Sequence, residues 1–559
     1  MSCPLFSPQA NQTVHKTKLM QKEIMLPTQT ECRSEQKRDA PGQVFIFPGI
    51  FRVRTARIQG ACFSQRFFFA ELQGLTSSPQ PGPRKAERLL LVLFLLSLPM
   101  LNPWVRGDGV GYYAYVRAPL IQHNLDFTRD YQQANASFRE HRLDENGQPT
   151  AEFRTRTGHL ENHFTVGPAI FWAPFLLVTH VGVLLARALG SAIPADGFST
   201  PYRIAMALAT ALYGFLGLLI SFRIARKYVD ETWALLATLA IWWASSLPVY
   251  MYFNPSWSHA HSAFVVALFL WYWHETRNDR SLGQWILLGA LAGLMLDVYY
   301  ANVMLFVILP FEALREYGAA LRKATPSTPS VAQLLARHAA FAAAFILCLQ
   351  PTFIAHRIIY GSSFETGYIP ISQWSWSSPY LFSVLFSSTH GLLSWTPVLL
   401  FAVIGLFAFW RSVPRVGGAF LVAALAFYYF MASYPDWAGI SSYGNRFFVS
   451  LTPLFILGLA VFLDRFTRVF RTRRAALGAA SVFLACFVFW NAGLMFQWGT
   501  HLIPARGPIS FSEMIQNQFL VVPRQISMQF EKYLFGRKAM MQQIEQRDLE
   551  QMKQNPPPQ

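Results

Sequence analysis

The stretch "LLLVLFLLSLPMLNPWVRGDGVGYYAYV", Leu89 to Val116, decides the fold. From Leu89 to Trp104 it is apolar and carries no charge, as a membrane-entering segment does. Arg84, Lys85 and Arg88 stand before it. Such residues stay on the cytoplasmic side, so the span starts in the cytoplasm and delivers Asp108 outside. Pro103 and Gly107 end the span. From Gly109 onward Tyr112, Val116 and Leu120 fall on one helical face, with Tyr113 and Ile121 beside it. Tyrosines favour the interfacial depth, so this second segment reads as an amphipathic helix lying at the membrane surface. Asp108 heads it. Two roles fit that place. Asp is a preferred helix N-cap. A carboxylate between water and lipid is also a general base whose pKa partial desolvation can raise.

The rest of the chain agrees with a membrane reading. Of its 559 residues 53% are hydrophobic and only 14% charged, against roughly 25% charged in a soluble domain. Further apolar runs cover about 203–222, 232–250, 260–274, 284–297, 299–314, 338–356, 393–410, 417–432, 446–463 and 475–492. The expected fold is therefore all-α and polytopic, with about eleven spans plus outer juxtamembrane helices in the first external loop. The net charge of +17 marks sides rather than a nucleic-acid face, since no basic soluble domain is present. Five cysteines at positions 3, 32, 62, 348 and 486 give neither a disulfide framework nor a zinc spacing.

Three regions follow. Residues 1–86 are polar and irregular, and read as a disordered cytoplasmic tail or as the product of a start codon placed too early. Residues 87–495 form the membrane core, with the external loop 105–164 carrying the active site. Residues 496–559 read as an external, partly helical tail. Basic clusters at Arg223/Arg226/Lys227, Arg277/Arg280, Arg315/Arg322/Lys323, Arg411/Arg415 and Arg465–Arg474 all belong in the cytoplasm. They agree only if residues 165–187, interrupted by Pro168 and Pro174, do not change sides. That segment is expected to lie in, or dip into, the outer interface.

On this topology one face collects the ionisable groups: Asp108, Asp126, Asp130, Glu161, His163, His259, His261, Glu365, His390, Asp436 and Arg446, with Asp297 near the outer end of a span. Ionisable residues close to lipid are functional by default. Their gathering on one face suits surface chemistry, whereas a transport path needs polar groups through the bilayer depth. Arg446 heads a span and suits bidentate phosphate contact or interfacial anchoring. Arg117 is a weaker phosphate candidate or a contact to lipid head groups. Glu161 and His163 either face the cavity or lie in a solvated loop. His259 and His261 are two apart and share no helical face, so a zinc site would need more ligands. Asp297 lines the cavity, caps a helix end or is a buried hydrogen-bonded acid. Trp374, Trp376, Trp395 and Trp437 read mostly as interface anchors.

The order of "GDGVG" after the first span, "HFTVGPAIFWAPF", "RIAMALATALYGFLGLLISFRIARKYVDETWALLATLAIWW", "YGSSFETGY", "FSSTHGLLSWTPVLL" and "DWAGISSYGNRFFVSLTPLF" resembles the C-type membrane glycosyltransferases. The closest likeness is to their protein-mannosyltransferase-like and lipid-A-aminoarabinose-transferase-like branch, over roughly residues 87–495. The resemblance implies inverting transfer of a sugar from a polyprenyl-phosphate donor to a lipid, glycan or protein acceptor outside the cytoplasm. It makes Asp108 the key carboxylate and the bilayer a partner, with Arg446, Glu161, His163, Arg117, Tyr112 and Asp297 as candidates for substrate binding. The implied location is the cytoplasmic (inner) membrane. Some branches carry two adjacent acids here, whereas this chain has one, which removes the pair that would hold a metal. A divalent cation stays an open cofactor. The rival reading is a transporter or flippase of a lipid-linked saccharide.

Overall fold

A computed structural model describes residues 85–554 apart from 141, 324, 326, 327, 507 and 508. The tail expected over residues 1–86 lies outside the described residues, save Lys85 and Ala86, which open the first helix. The regular structure of the described residues is helical, with two isolated β-bridges, Leu143–Pro149 and Arg154–Leu160, in the first long loop.

Helix α1 (Lys85–Ser97) passes through a 3₁₀ turn at Pro99 into an extended lip, and α2 (Asp108–Gln122) follows. Next come α3 (Gly167–Ala188), α4 (Thr200–Ala225), α5 (Glu231–Trp243), α6 (His259–Thr276), α7 (Leu282–Val298) and α8 (Val331–Cys348). The core closes with α9 (Val398–Ser412), α10 (Pro414–Ser433), α11 (Thr452–Phe466) and α12 (Arg473–Gly499), and α13 (Arg537–Gln554) ends the described chain. Among the described residues six helical segments are long and apolar enough to cross a membrane: α3, α4, α8, α10, Arg446–Val469 and α12. Two shorter apolar helices, α7 and α9, join them. The chain is a multi-pass membrane protein.

Several expected spans are broken, for identifiable reasons. The run at 232–250 stops after Trp243, where Ser245, Ser246 and Pro248 interrupt it, and resumes as a π turn at Val249–Phe253. The run at 299–314 starts as a 3₁₀ stretch, Tyr300–Val307, before turning α-helical. Irregular backbone is tolerated at such depth only when protein surrounds it, and Tyr250, Met251, Tyr252, Asn302 and Leu305 are indeed buried.

Ion pairs tie the basic clusters into one end of the bundle. Arg223 chelates Glu87 with two bonds of 2.9 Å, and Arg226 reaches the same carboxylate at 3.3 Å. Lys227 pairs with Glu275, Arg280 with Glu312 at 2.8 Å, and Arg473 with Asp230 at 3.1 Å. The candidate site lies at the other end of α4 and α6.

Helix α3, the segment expected in the outer interface, packs antiparallel against the first half of α4. His180 bonds Tyr202 at 2.6 Å and Trp172 bonds Thr210 at 2.8 Å. Pro168 fits because it sits in the first turn, where its missing N–H costs nothing.

Candidate active site

The lip before α2 is pinned from two sides. The Trp257 indole N–H donates to the Arg106 carbonyl at 2.9 Å, and the Gly107 N–H donates to Asn135 Oδ1 at 2.9 Å. Gly107 turns the chain at φ +52°, a region that other residues rarely adopt. Helix α2 then starts at Asp108. The capping role is not observed: Gly107 holds the N-cap position, and Asp108 is the first helical residue with no side-chain capping bond. Its carboxylate points elsewhere, to Arg446 Nη1 at 3.0 Å.

Arg446 is buried down to 9% exposure while Asp108 keeps 30% of its side chain open. The guanidinium lies over the Trp257 ring at 4.4 Å and near Phe447 at 5.3 Å. Stacking on rings and pairing with a carboxylate hold such a group in one orientation. Its Nε has no partner. Around the pair, Tyr112 accepts from Ser258 at 3.1 Å and bonds Tyr368. Burial raises the Tyr112 phenol above its ordinary range, so it stays a neutral hydrogen-bonding group. Asp436 stands within electrostatic reach of both partners. Burial lifts its carboxyl to about 6, although Arg446 opposes this. His390 is buried, donates its Nδ1–H to the Ala438 carbonyl at 2.8 Å, and burial drops its pKa to about 4, so it is neutral at physiological pH.

The expected residues divide. Asp108, Arg446 and Tyr112 meet. His163 joins the edge of the same cluster through its ring contacts with Phe164 (4.2 Å) and Tyr368 (4.8 Å), and Glu161 lies 3.9 Å from it. Arg117 does not reach lipid or the site. It is fully buried and clamped by Asp130, with Nε to Oδ1 at 2.6 Å and a second contact to Oδ2. Asp297 is wholly buried: one oxygen accepts from Thr352 and the other has no partner, so it is the buried hydrogen-bonded acid. Asp126 bonds Thr128, and Glu365 makes an exposed pair with Arg156 at 3.3 Å. Trp395 is no interface anchor, being fully buried and bonded to the Ser388 carbonyl.

Some contributors carried no local signal. Trp257 supports Arg446, Asn135 holds the lip, and Arg506 comes from beyond the last span. Arg506 feels Asp548, Arg142, Arg106 and Asp108. For a divalent cation the residues do not fit. Asp108 faces a guanidinium, and among the described residues no three His, Cys, Asp or Glu side chains converge.

Fold and site together define a many-helix membrane protein with an acid–arginine centre at one end of its bundle. No protein-family model and no curated protein matches the chain. Solved structures do. ArnT from Cupriavidus metallidurans matches in the apo state with 15% identity over 78% of this chain and 74% of that one, at a TM-score of 0.40. Bound to undecaprenyl phosphate it matches with 16% identity over 84% and 76%, at 0.43. The archaeal oligosaccharyltransferase AglB from Archaeoglobus fulgidus, in complex with an inhibitory peptide and a dolichol-phosphate, matches with 13% identity over 79% of this chain, at 0.43. This chain spans 55% of the archaeal protein's length.

Proposed function

We propose that the protein is an inverting glycosyltransferase with about eleven spans. It would move a hexosyl or pentosyl group from a polyprenyl-phosphate donor to a lipid, glycan or protein acceptor on the outer face of the cytoplasmic membrane. The observation that carries the reading is the Asp108 carboxylate, open on one side and fixed on the other by a buried, stacked Arg446. An acceptor hydroxyl reaches the open side. As its oxygen forms a bond to the anomeric carbon, its proton passes to Asp108. The bond from that carbon to the phosphate oxygen breaks, and the electron pair leaves with the lipid phosphate. Attack opposite the leaving group inverts the carbon. Arg446 positions the base. Arg506, with Arg106 and Arg142 in reach, supplies positive charge where the phosphate departs.

The test is Asp108→Asn, which keeps the shape and removes the base. Transfer of labelled sugar from lipid carrier in membranes should fall about 10²–10⁴-fold, with normal expression and carrier binding. Wild-type transfer rates in this variant would sink the assignment. Translocation of the carrier with no covalent transfer in the wild type would favour the flippase.

A further inference from the structure

Helix α2 separates two spaces. Asp108 and Tyr112 face Arg446 and Ser258, whereas Val110 and Tyr113 face the other way. On that second side lies a cavity of about 540 Å³, walled by the lip, the outer turn of α4 and the C-terminal helix α13. This volume is in the range of a small-ligand site. Its walls are mostly apolar, with Trp104, Val110, Phe198 and Met541 among them.

The charges on its walls are unequal in availability. Asp130 is consumed by Arg117, Arg537 is spent on the Pro99 and Leu101 carbonyls, and Glu545 accepts from the Ser137 N–H at 2.8 Å through one oxygen while its other oxygen has no partner, leaving one carboxylate against the remaining cations. Two cations remain. Among the described residues, Arg203 is held by Thr200 at 3.3 Å and has a buried Nε without a partner, and Lys538 is exposed at the rim with no described carboxylate on it. Beside Arg203 on α4, Thr200, Ile204 and Leu208 line a second, apolar groove against Thr179 of α3, and Ile204 and Leu208 are exposed. Two cations against one carboxylate over an apolar hollow, next to an apolar groove on a membrane helix, match one chemistry: a phosphate joined to hydrocarbon chains.

We propose that this cavity binds an anionic phospholipid of the surrounding bilayer, its phosphate on Arg203 and Lys538 and a chain along the Ile204 groove. The site would clasp α13 to the lip from the side of α2 that does not hold Asp108. It requires no glycosyl transfer and stands or falls separately from that reaction.

The test uses the full-length protein in neutral detergent, titrated with dioleoyl phosphatidylglycerol, dioleoyl phosphatidylcholine or a polyprenyl phosphate, with thermal unfolding as the readout. Phosphatidylglycerol should raise Tm with an apparent affinity about tenfold or more above that of phosphatidylcholine. Lys538→Gln, an exposed position that should fold normally, should weaken that preference. Arg203→Gln with Lys538→Gln should remove it, and Asp108→Asn should leave it intact. Equal effects of the two phospholipids would overturn the proposal. So would a preference that survives the double variant or vanishes in Asp108→Asn. If the polyprenyl phosphate alone stabilises, and does so through Arg203 and Lys538, the site belongs to the carrier and the phospholipid assignment fails.

Discussion

The backbone at Gly109 passes so close to Ser256 that a methyl group there would sit 1.9 Å from the hydroxyl oxygen and 2.4 Å from Cβ. This contact, next to Asp108, seats the carboxylate against the Trp257–Arg446 stack. Gly109→Ala should therefore destabilise the protein by roughly 1–3 kcal/mol, the usual cost of overpacking, and should displace the Asp108 carboxylate. Thermal unfolding and sugar transfer should both fall, and Ser256→Gly in the same chain should restore part of each. An unaltered Tm in Gly109→Ala would disprove the close approach. Asp436 gives a prediction with a sign. Its folded pKa is raised to about 6 by burial, above the ordinary value near 3.8 of the unfolded chain. The folded state thus binds more protons in that window. Asp436 contributes stability at pH 4 that is lost as pH rises through 6. Asp436→Asn stays neutral throughout, so the variant should gain on the wild type between pH 4 and 7. A constant Tm difference across that range would refute the raised pKa. Asp108 and Arg446 were both readable one at a time, because each sits at the head of a helix next to an apolar run. Their pairing was not. It joins residues 338 positions apart, and no local period records such a contact.

Among the elements, α2 carries the clearest lesson. Its aromatic periodicity announced a helix, and a helix stands there. The pattern suggested that one face meets lipid, yet ten of its fifteen residues are buried under later segments. An amphipathic pattern tells which face is apolar but not whether lipid or protein covers it. Arg117 was misplaced for that reason, since Asp130 folds beneath it only after a turn. Burial raises the Asp130 carboxyl to about 6 even with Arg117 in contact, so the pair is held against a real desolvation cost. Removing one partner strands the other charge. Asp130→Ala should lower stability by about 3–5 kcal/mol and reduce the yield of folded protein from detergent. Replacing both, Arg117→Met with Asp130→Leu, should recover most of the loss, because an apolar pair of similar volume owes no desolvation. If the double variant is as unstable as the single one, packing rather than charge sets the site. Helix α3 shows the converse limit: hydropathy marks it as apolar, but its side-chain partners on α4, Tyr202 and Thr210, are not legible from that pattern.

At the scale of the molecule, the C-terminal segment changes most between sequence and structure. It is polar, has no span, and reads as an external, partly helical tail. In the structure α13 returns to the lip that carries Asp108. Asp548 holds both Arg106 and His501, the latter at 2.7 Å, and the Tyr533 hydroxyl donates to the Met100 carbonyl at 2.7 Å. Glu545 reaches the Ser137 N–H at 2.8 Å. Polar contacts across more than 400 residues leave no trace in hydropathy, which is why this docking was illegible. It bears on the site because Arg106 precedes Gly107 and Asp108 directly. Burial pushes the Asp548 carboxyl up, but Arg106 and His501 outweigh it and hold it below the usual carboxylate value. Such a group gives stability above its unfolded pKa that is lost as pH falls through the folded one. On account of Asp548, docking should then weaken as pH falls below about 4. Limited proteolysis reads this directly: cleavage within residues 537–554 should stay slow across the neutral range and rise on acidification. Asp548→Asn should cut fast at every pH, and its sugar transfer should fall because the Arg106–Gly107 lip loses its outer hold. Rapid cleavage of the wild type at pH 7 would mean that α13 is not docked. Slow cleavage of Asp548→Asn with normal transfer would mean that the tail is held by Tyr533, Arg537 and Glu545, and that the lip keeps its shape without the Arg106 pair.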